Sequence, residues 1–333
     1  MTASAAGSFT VERPAPGGPV AEALRGGVVA IGNFDGVHRG HQAVLEEAMA
    51  MARAESVPAV VLTFEPHPRS VFRPNEPVFR LTPAPLRARL IALLGFDGVV
   101  ECAFDARFAE QSAAEFVEAI LIGQLGARHV VTGHDFHFGK GREGGPDFLR
   151  RAGERHDFTV QPIDAFRDEG GAVISSSRIR QALTRGDVAE AAGLLGYRFR
   201  VESVVIGGER LGRTLSFPTA NMALPAETAL MPGIYAVRFT RADGSRHDGV
   251  ASFGRRPTVV EAGAPLLETF LFDFAGDLYG ETCGVSFFGF LRPEEKFDGL
   301  DALVAQMKAD EAQARTLLAG TRPLGRLDAA LNF

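Results

Sequence analysis

Val28-Val29-Ala30-Ile31-Gly32-Asn33-Phe34-Asp35-Gly36-Val37-His38-Arg39-Gly40-His41 decides the fold of the first half of this chain. Four apolar residues read as a short buried strand, and the amphipathic run His41–Ser56 reads as a helix. A strand, a glycine-rich loop and a helix begin a parallel α/β sheet. The loop lies at the carboxyl end of its strand, where such sheets bind ligands. Glycines at 32, 36 and 40 let the backbone approach a ligand closely. His38 and His41, three apart at a helix N-terminus, project from one face. Free N–H groups and the positive end of the helix dipole favour a phosphate there. Two imidazoles add donors for charge developing on phosphorus. A fragment of a metal site and a pair of idle surface histidines are the plainer readings, although no third ligand stands at a diagnostic spacing.

The pattern continues outward. Val28–Ile31, Ala59–Phe64, Gly98–Cys102 and His129–Thr132 are strand-like, and Pro85–Leu94 and Ala113–Leu125 are helical, which predicts a parallel sheet covered on both faces. The texture changes near Tyr197. Phe199–Ile206, Gly233–Thr240, Asp248–Phe253, Leu266–Phe274 and Cys283–Phe290 are strands with few helices between them, which predicts an antiparallel sheet or small closed barrel. Asp298 is expected to cap a final helix striped by Leu300, Leu303, Val304 and Met307. Ser177–Leu195 reads as helical and places a boundary within residues 184–198. The expected organisation is a disordered leader over 1–21, an α/β domain over 22–190 and a barrel domain over 191–333.

A length of 333 residues gives about two domains. The chain is 46% hydrophobic and 23% charged, with 41 acidic against 35 basic groups and a net charge of −6. That balance argues against a generic nucleic-acid or anionic-membrane binder. Cys102 and Cys283 are far apart and form no CxxC pair, which fits a reducing cytoplasm. No basic-then-apolar leader and no apolar run of about 18 residues is present, so a soluble, cytoplasmic protein is expected.

No GxxxxGK[ST] stretch occurs. Instead a Gly- and Arg-bearing loop, with Gly208, Gly212 and Arg213, runs into Ser216-Phe217-Pro218-Thr219-Ala220-Asn221. The Thr219 hydroxyl and Asn221 amide oxygen are hard ligands suited to Mg²⁺ on ATP phosphates, while Pro and Asn also suit an ordinary turn. Glu268 is a carboxylate amid apolar strand residues, and so needs either a partner or a task.

GNFDGVHRGH resembles the HxGH nucleotidyltransferases, and more closely the adenylyltransferase module of bacterial bifunctional riboflavin kinase/FAD synthetases. Ile174-Ser175-Ser176-Ser177-Arg178-Ile179-Arg180 resembles that family's ISSTxIR segment, with Ser177 where threonine is usual. Gly133-His134-Asp135-Phe136-His137-Phe138-Gly139, with Arg142 and Gly144, resembles its GxDFxFGxxRxG loop, and Phe64-Glu65-Pro66-His67-Pro68 matches as well. The resemblance implies that His38 and His41 stabilise the α-phosphate. Gly32, Asn33, Phe34, Asp35, Ser175, Ser176, Ser177 and Arg180 would bind ATP; Phe64, Pro66, His67, Asp135 and Phe136 would bind flavin.

The second half resembles the riboflavin kinase module of the same enzymes, through PTAN and Leu267-Glu268-Thr269-Phe270-Leu271-Phe272-Asp273-Phe274. This implies Glu268 as catalytic base, Gly208, Gly212, Arg213, Thr219 and Asn221 around ATP, Thr219 and Asn221 on Mg²⁺, and Glu268 and Arg292 at the flavin. Gly249–Thr258, Phe290–Phe297 and the terminal helix with Asp310 and Arg315 match too, whereas Ser203 and Ser216 stand where relatives commonly have glycine. The implied fold is a Rossmann-like α/β nucleotidyltransferase domain of HxGH type followed by a small antiparallel β-barrel with a C-terminal helix. The implied activity is phosphorylation of riboflavin to FMN, then adenylylation of FMN to FAD, with ATP and Mg²⁺. A single-activity adenylyltransferase and a flavin-sensing or RNA-binding regulator are the rivals. The first leaves Glu268 idle, and the second lacks a basic stripe. The oligomeric state is left open.

Overall fold

A computed structural model describes residues 9–15, 18–207, 219–257 and 262–333. The chain folds as two units, Met1–Ser175 and Ser176–Phe333.

The first unit carries six strands: β1 (Thr10–Glu12), β2 (Val28–Ile31), β3 (Ala59–Glu65), β4 (Gly98–Ala103), β5 (His129–Gly133) and β6 (Thr159–Ile163). They form a wholly parallel sheet in the order β1-β4-β3-β2-β5-β6. Val28–Ile31 is buried at every position, as a strand covered on both faces requires. From β2 the chain builds outward through β3 and β4, then returns to lay β5 on the other side of β2. That reversal opens a crevice beyond the carboxyl ends of β2 and β5, the place where parallel sheets bind ligands. The helices of this unit are α1 (Arg39–Glu55), α2 (Pro68–Phe72), α3 (Ala84–Leu94), α4 (Ala106–Ala109), α5 (Ala113–Phe116) and α6 (Pro146–His156).

Several expectations are corrected here. The leader expected to be disordered supplies β1, whose Thr10–Glu12 pair in parallel with Gly98–Val100. Helix α1 starts at Arg39 and not at His41, because His38 itself is the N-cap. The expected helix Ala113–Leu125 widens after Phe116 into π-type turns over Val117–Gln124.

The second unit opens with α7 (Ser176–Thr184) and α8 (Val188–Leu195), two helices where one was expected. Gly186 at φ +76° breaks the run and Asp187 caps α8 by accepting from the Glu190 N–H. Six antiparallel strands follow: β7 (Arg200–Ile206), β8 (Thr219–Ala223), β9 (Gly233–Thr240), β10 (Arg246–Pro257), β11 (Ala262–Leu271) and β12 (Thr282–Arg292). They close into a barrel in the order β10-β11-β8-β7-β12-β9. Met222, Tyr235, Val237, Phe239, Leu267 and Phe287 are buried in its interior. Helix α9 (Leu300–Ala319) lies on the outer wall, where Ala314 and Leu318 cluster with Ala236, Phe272 and Phe288. Its N-cap is Gly299 at φ +150°, in place of the expected Asp298. A last helix unread in the sequence, α10 (Arg326–Asn332), docks through buried Asp328, which accepts from the Arg198 backbone and guanidinium and from Asn332.

Candidate active sites

The loop after β2 is held in a costly shape. Phe34 and Val37 have φ of +47° and +39°, and Gly36 has +95°. Such left-handed non-glycine residues persist only where their surroundings fix them. A Cβ on Gly32 would sit 3.0 Å from the Phe34 ring, and one on Gly40 would sit 3.2 Å from the His38 ring. Both glycines therefore make room for a ring that belongs to the loop.

His38 Nδ1 accepts the backbone N–H of His41 at 3.2 Å, so the neutral His38 ring carries its proton on Nε2. The two imidazoles stack with centroids 3.6 Å apart at 16°, and Phe34 meets His41 edge-on at 5.3 Å. Burial, and then the adjacent His38, push the His41 pKa well below the ordinary histidine range. His41 Nδ1 is buried and has no hydrogen-bond partner. The pair thus offers a neutral, orphaned polar nitrogen at the crevice mouth, suited to a ligand oxygen.

The remaining expected residues divide between surface and interior. Asn33 is exposed, whereas Asp35 is buried, accepting the Thr82 N–H at 3.0 Å with Arg80 Nε at 3.6 Å. Phe64 is buried among Phe104, Phe108 and Phe116 at 5.9, 5.9 and 6.3 Å. Phe116 packs on Phe138 at 5.0 Å, and Phe138 stacks on Phe136 at 5.5 Å. An unbroken aromatic chain therefore joins the carboxyl end of β3 to the loop after β5. Asp135 is exposed in that loop, Pro66 is exposed, and His67 caps α2 by accepting the Arg69 N–H at 3.1 Å. Ile174 O lies 3.6 Å from the Cβ position of Gly40. Ser175, the next residue, ends the first unit; Ser176 and Ser177 begin α7, and Arg180 lies in it.

Sequence reasoning missed a charged layer behind this loop. Arg87, fully buried, bonds Glu65 at 3.1 Å, Glu101 at 3.0 Å and the Asn33 carbonyl at 3.3 Å. Arg80 forks onto Glu65 at 3.0 and 3.2 Å. Burial works to raise the Glu65 pKa, but Arg80 and Arg87 outweigh it and hold the carboxyl below its usual range. The available signal was Glu101 inside the apolar run Gly98–Ala103, a carboxylate that has to find a buried cation.

In the barrel, register assembles the second site. Asn221 on β8 pairs with Glu268 on β11, which pairs with Ser252 on β10. Ser252 pairs with Ile234 on β9, and Ile234 with Arg292 on β12. Paired residues share a face, so these five form one transverse row on the outer wall, while Ala220, Met222, Leu267 and Thr269 turn inward and are buried. Thr219, paired with Phe270, lies one step along the same face as Asn221. The expected turn at Thr219-Ala220-Asn221 is therefore a strand. Asn221 Oδ1 is buried without a hydrogen-bond partner. Arg292 forks onto Asp310 of α9 at 2.9 and 2.8 Å, so the guanidinium ties barrel to helix. Ser203 sits in ordinary strand opposite Cys283, its hydroxyl donating to Ala223 O at 2.9 Å. Gly208, Gly212, Arg213 and Ser216 lie outside the described residues. Among the described residues no three His, Cys, Asp or Glu side chains group as a metal-binding set, and no helix is long and apolar enough to cross a membrane.

A family model described as FAD synthetase matches residues 20–178, and one described as riboflavin kinase matches residues 195–318. A "Bifunctional riboflavin kinase/FMN adenylyltransferase" of Pseudomonas fluorescens is 44% identical over 298 residues, covering 89% of this chain and 94% of that protein. The protein of the same description from Escherichia coli (strain K12) is 40% identical, covering 90% and 95%. A crystal structure described as a macrolide-efflux protein from Streptococcus pneumoniae aligns with a TM-score of 0.80 at 31% identity, covering 92% of this chain and 98% of that one.

Proposed function

The chain belongs to the bifunctional riboflavin kinase/FMN adenylyltransferase family, and we propose that each of its two units carries one of the family's two reactions. The protein phosphorylates riboflavin to FMN with ATP and adenylylates FMN to FAD. The division of labour, with a functional boundary at residues 190/191, rests on the order of the two family matches and on the two separate sites.

For adenylyl transfer, the ATP triphosphate lies at the N-terminus of α1. The FMN phosphate attacks the α-phosphorus, its oxygen forms the new P–O bond, and pyrophosphate leaves. His38 and His41 donate to the α-phosphate oxygens, whose charge grows in the transition state. Asn33, with the backbone of Gly32, Phe34 and Asp35, borders the nucleotide, and Ser175, Ser176, Ser177 and Arg180 bind its phosphates. Flavin lies along Phe64, Pro66, His67, Asp135 and Phe136. The unpartnered Nδ1 of His41, buried at the switch point of the sheet, is the observation that carries this reading.

For phosphoryl transfer, Glu268 takes the proton of the riboflavin 5′-hydroxyl as that oxygen attacks the γ-phosphorus and ADP departs. Thr219 and Asn221 would hold Mg²⁺, which supplies counter-charge to the triphosphate. The buried, unpaired Asn221 Oδ1 beside Glu268 is an acceptor that fits a hard cation. Gly208, Gly212 and Arg213 are assigned to ATP and Arg292 to the flavin side of the kinase. Both reactions are assigned to the cytoplasm.

Separation by mutation tests the division. His41→Ala is expected to lower FAD formation about 10²–10³-fold while FMN formation stays near normal. Glu268→Gln is expected to lower FMN formation about 10²–10⁴-fold while supplied FMN is still adenylylated. Each mutant keeps the other activity, so neither result reduces to unfolding. If His41→Ala stopped riboflavin phosphorylation too, or Glu268→Gln left it intact, one reaction per unit would be wrong.

A further inference from the structure

Between α2 and α3 the chain passes against the strained loop after β2, and Thr82 lies fully buried there. Its backbone N–H donates to Asp35 Oδ1 at 3.0 Å, and its hydroxyl accepts the Gly36 N–H at 2.8 Å. Arg87 donates to the Asn33 carbonyl at 3.3 Å, a carbonyl that Thr63 also reaches at 3.3 Å. The Thr82 hydroxyl also donates to the Phe34 carbonyl at 3.5 Å, so all four successive loop residues from Asn33 to Gly36 are held from outside the loop. The same stretch contains Phe34 at φ +47° and Gly36 at φ +95°. A non-glycine residue in that region relaxes when its restraints are removed. Arg87 carries the restraint further: its Nη2 bonds Glu65, the residue before Pro66 and His67.

We propose that Thr82 is a positioning residue for adenylyl transfer, holding the loop Asn33–Val37 in its ATP-binding shape while Arg87 links that loop to the flavin-side turn at Glu65. The proposal rests on the assignment of this loop to ATP. Thr82 touches no reacting atom. Without its hydroxyl the loop divides its time among several shapes, and ATP binds only the competent fraction. The apparent affinity falls by that fraction, while the chemistry of the bound complex is unchanged.

Steady-state kinetics on the full-length enzyme separate this role from a merely structural one. Thr82→Val keeps the shape and leaves the Gly36 N–H without its acceptor. The expected result is a KM for ATP in FMN adenylylation raised about tenfold, the size of one lost buried hydrogen bond, with kcat within about twofold. Thr82→Ser, which restores the hydroxyl, should return KM to the wild-type value, and riboflavin phosphorylation should be unaffected in both. A variant that only lost folded protein would show a lower apparent kcat with KM unchanged, and that pattern overturns the proposal, as does an unchanged KM with unchanged kcat. Should Thr82→Val fail to accumulate, Thr82→Ala removes the same acceptor without placing a methyl group against the amide, and the same KM criterion applies. His41→Ala run in parallel tells the two claims apart. If it leaves adenylylation intact, the assignment of the loop to ATP fails. If it abolishes adenylylation while Thr82→Val behaves as wild type, the positioning role alone fails.

Discussion

His41 is where burial and chemistry meet most closely. The folded chain holds this imidazole neutral, through burial first and the stacked His38 second. An unfolded chain binds a proton there near pH 6.5. Below that pH the unfolded state takes up a proton that the folded state refuses, so stability is complete above about pH 6.5 and declines as pH falls through the interval beneath it. Carboxylates such as Glu65, held low by arginines, lose their contribution only in more acid solution, which leaves a window that reports on histidine. Calorimetry from pH 7 to 5 should show a falling Tm for the first unit, and His41→Gln should flatten that slope. An unchanged slope in the mutant would mean that His41 titrates normally. The two histidines were legible because glycine-rich loops at strand ends have few uses. Their unequal roles, one a cap with a fixed tautomer and one an orphaned ring, were not legible. Nor was Asp35, which faces inward to Thr82 because a residue 47 positions later supplies its partner.

At the scale of elements, periodicity found strands and helices whose partners are close in sequence and failed where long-range contacts decide. Thr219 and Asn221 look like a turn because Pro218 precedes them, yet pairing with Phe270 and Glu268 draws them into β8. The short runs β1 and β6 are read only once β4 and β5 are there to pair with them. Helix α10 is the sharpest case, since its anchor is a carboxylate. Asp328 is fully buried and accepts from Arg198, Leu324 and Asn332, while Arg198 also lies over the Phe288 ring at 4.6 Å. Removing one member of a buried pair leaves the other charged and unpaired. Asp328→Ala should therefore cost the barrel about 3–5 kcal/mol, measured by urea unfolding. FMN adenylylation at low temperature should persist. A loss under about 1 kcal/mol, the scale of an exposed ion pair, would show that Arg198 finds water instead and that α10 is dispensable.

At the scale of the whole chain the boundary is the instructive case. Two domains followed from length and from the change in texture, and the boundary, at residues 190/191, was placed within the helical segment before the barrel. Packing assigns it to the barrel: Met231 donates to the Leu183 carbonyl at 3.0 Å, a Cβ on Gly186 would meet the Met231 sulfur at 3.0 Å, and Val188, Ala191, Leu194 and Leu195 are buried. Ser176, Ser177 and Arg180, proposed to bind the adenylyl donor, lie at its start. The two cysteines make that packing measurable, because each unit holds one and burial pushes both thiols up to about 12. A thiol in unfolded chain titrates near 8.5 and alkylates readily at pH 8, whereas these react only when their unit opens. Pulse alkylation along a urea series, read peptide by peptide, should give one transition at Cys102 and another at Cys283. A chain beginning at Ser176 should protect Cys283 to the same urea concentration as the full protein and still phosphorylate riboflavin. A chain beginning at Leu195 lacks α7 and most of α8, bares the apolar surface around Met231 and Phe290, and should expose Cys283 at lower urea. If both truncated chains protected Cys283 equally well, residues 176–194 would be dispensable to the barrel, and the boundary read from the sequence at 190/191 would be the better one.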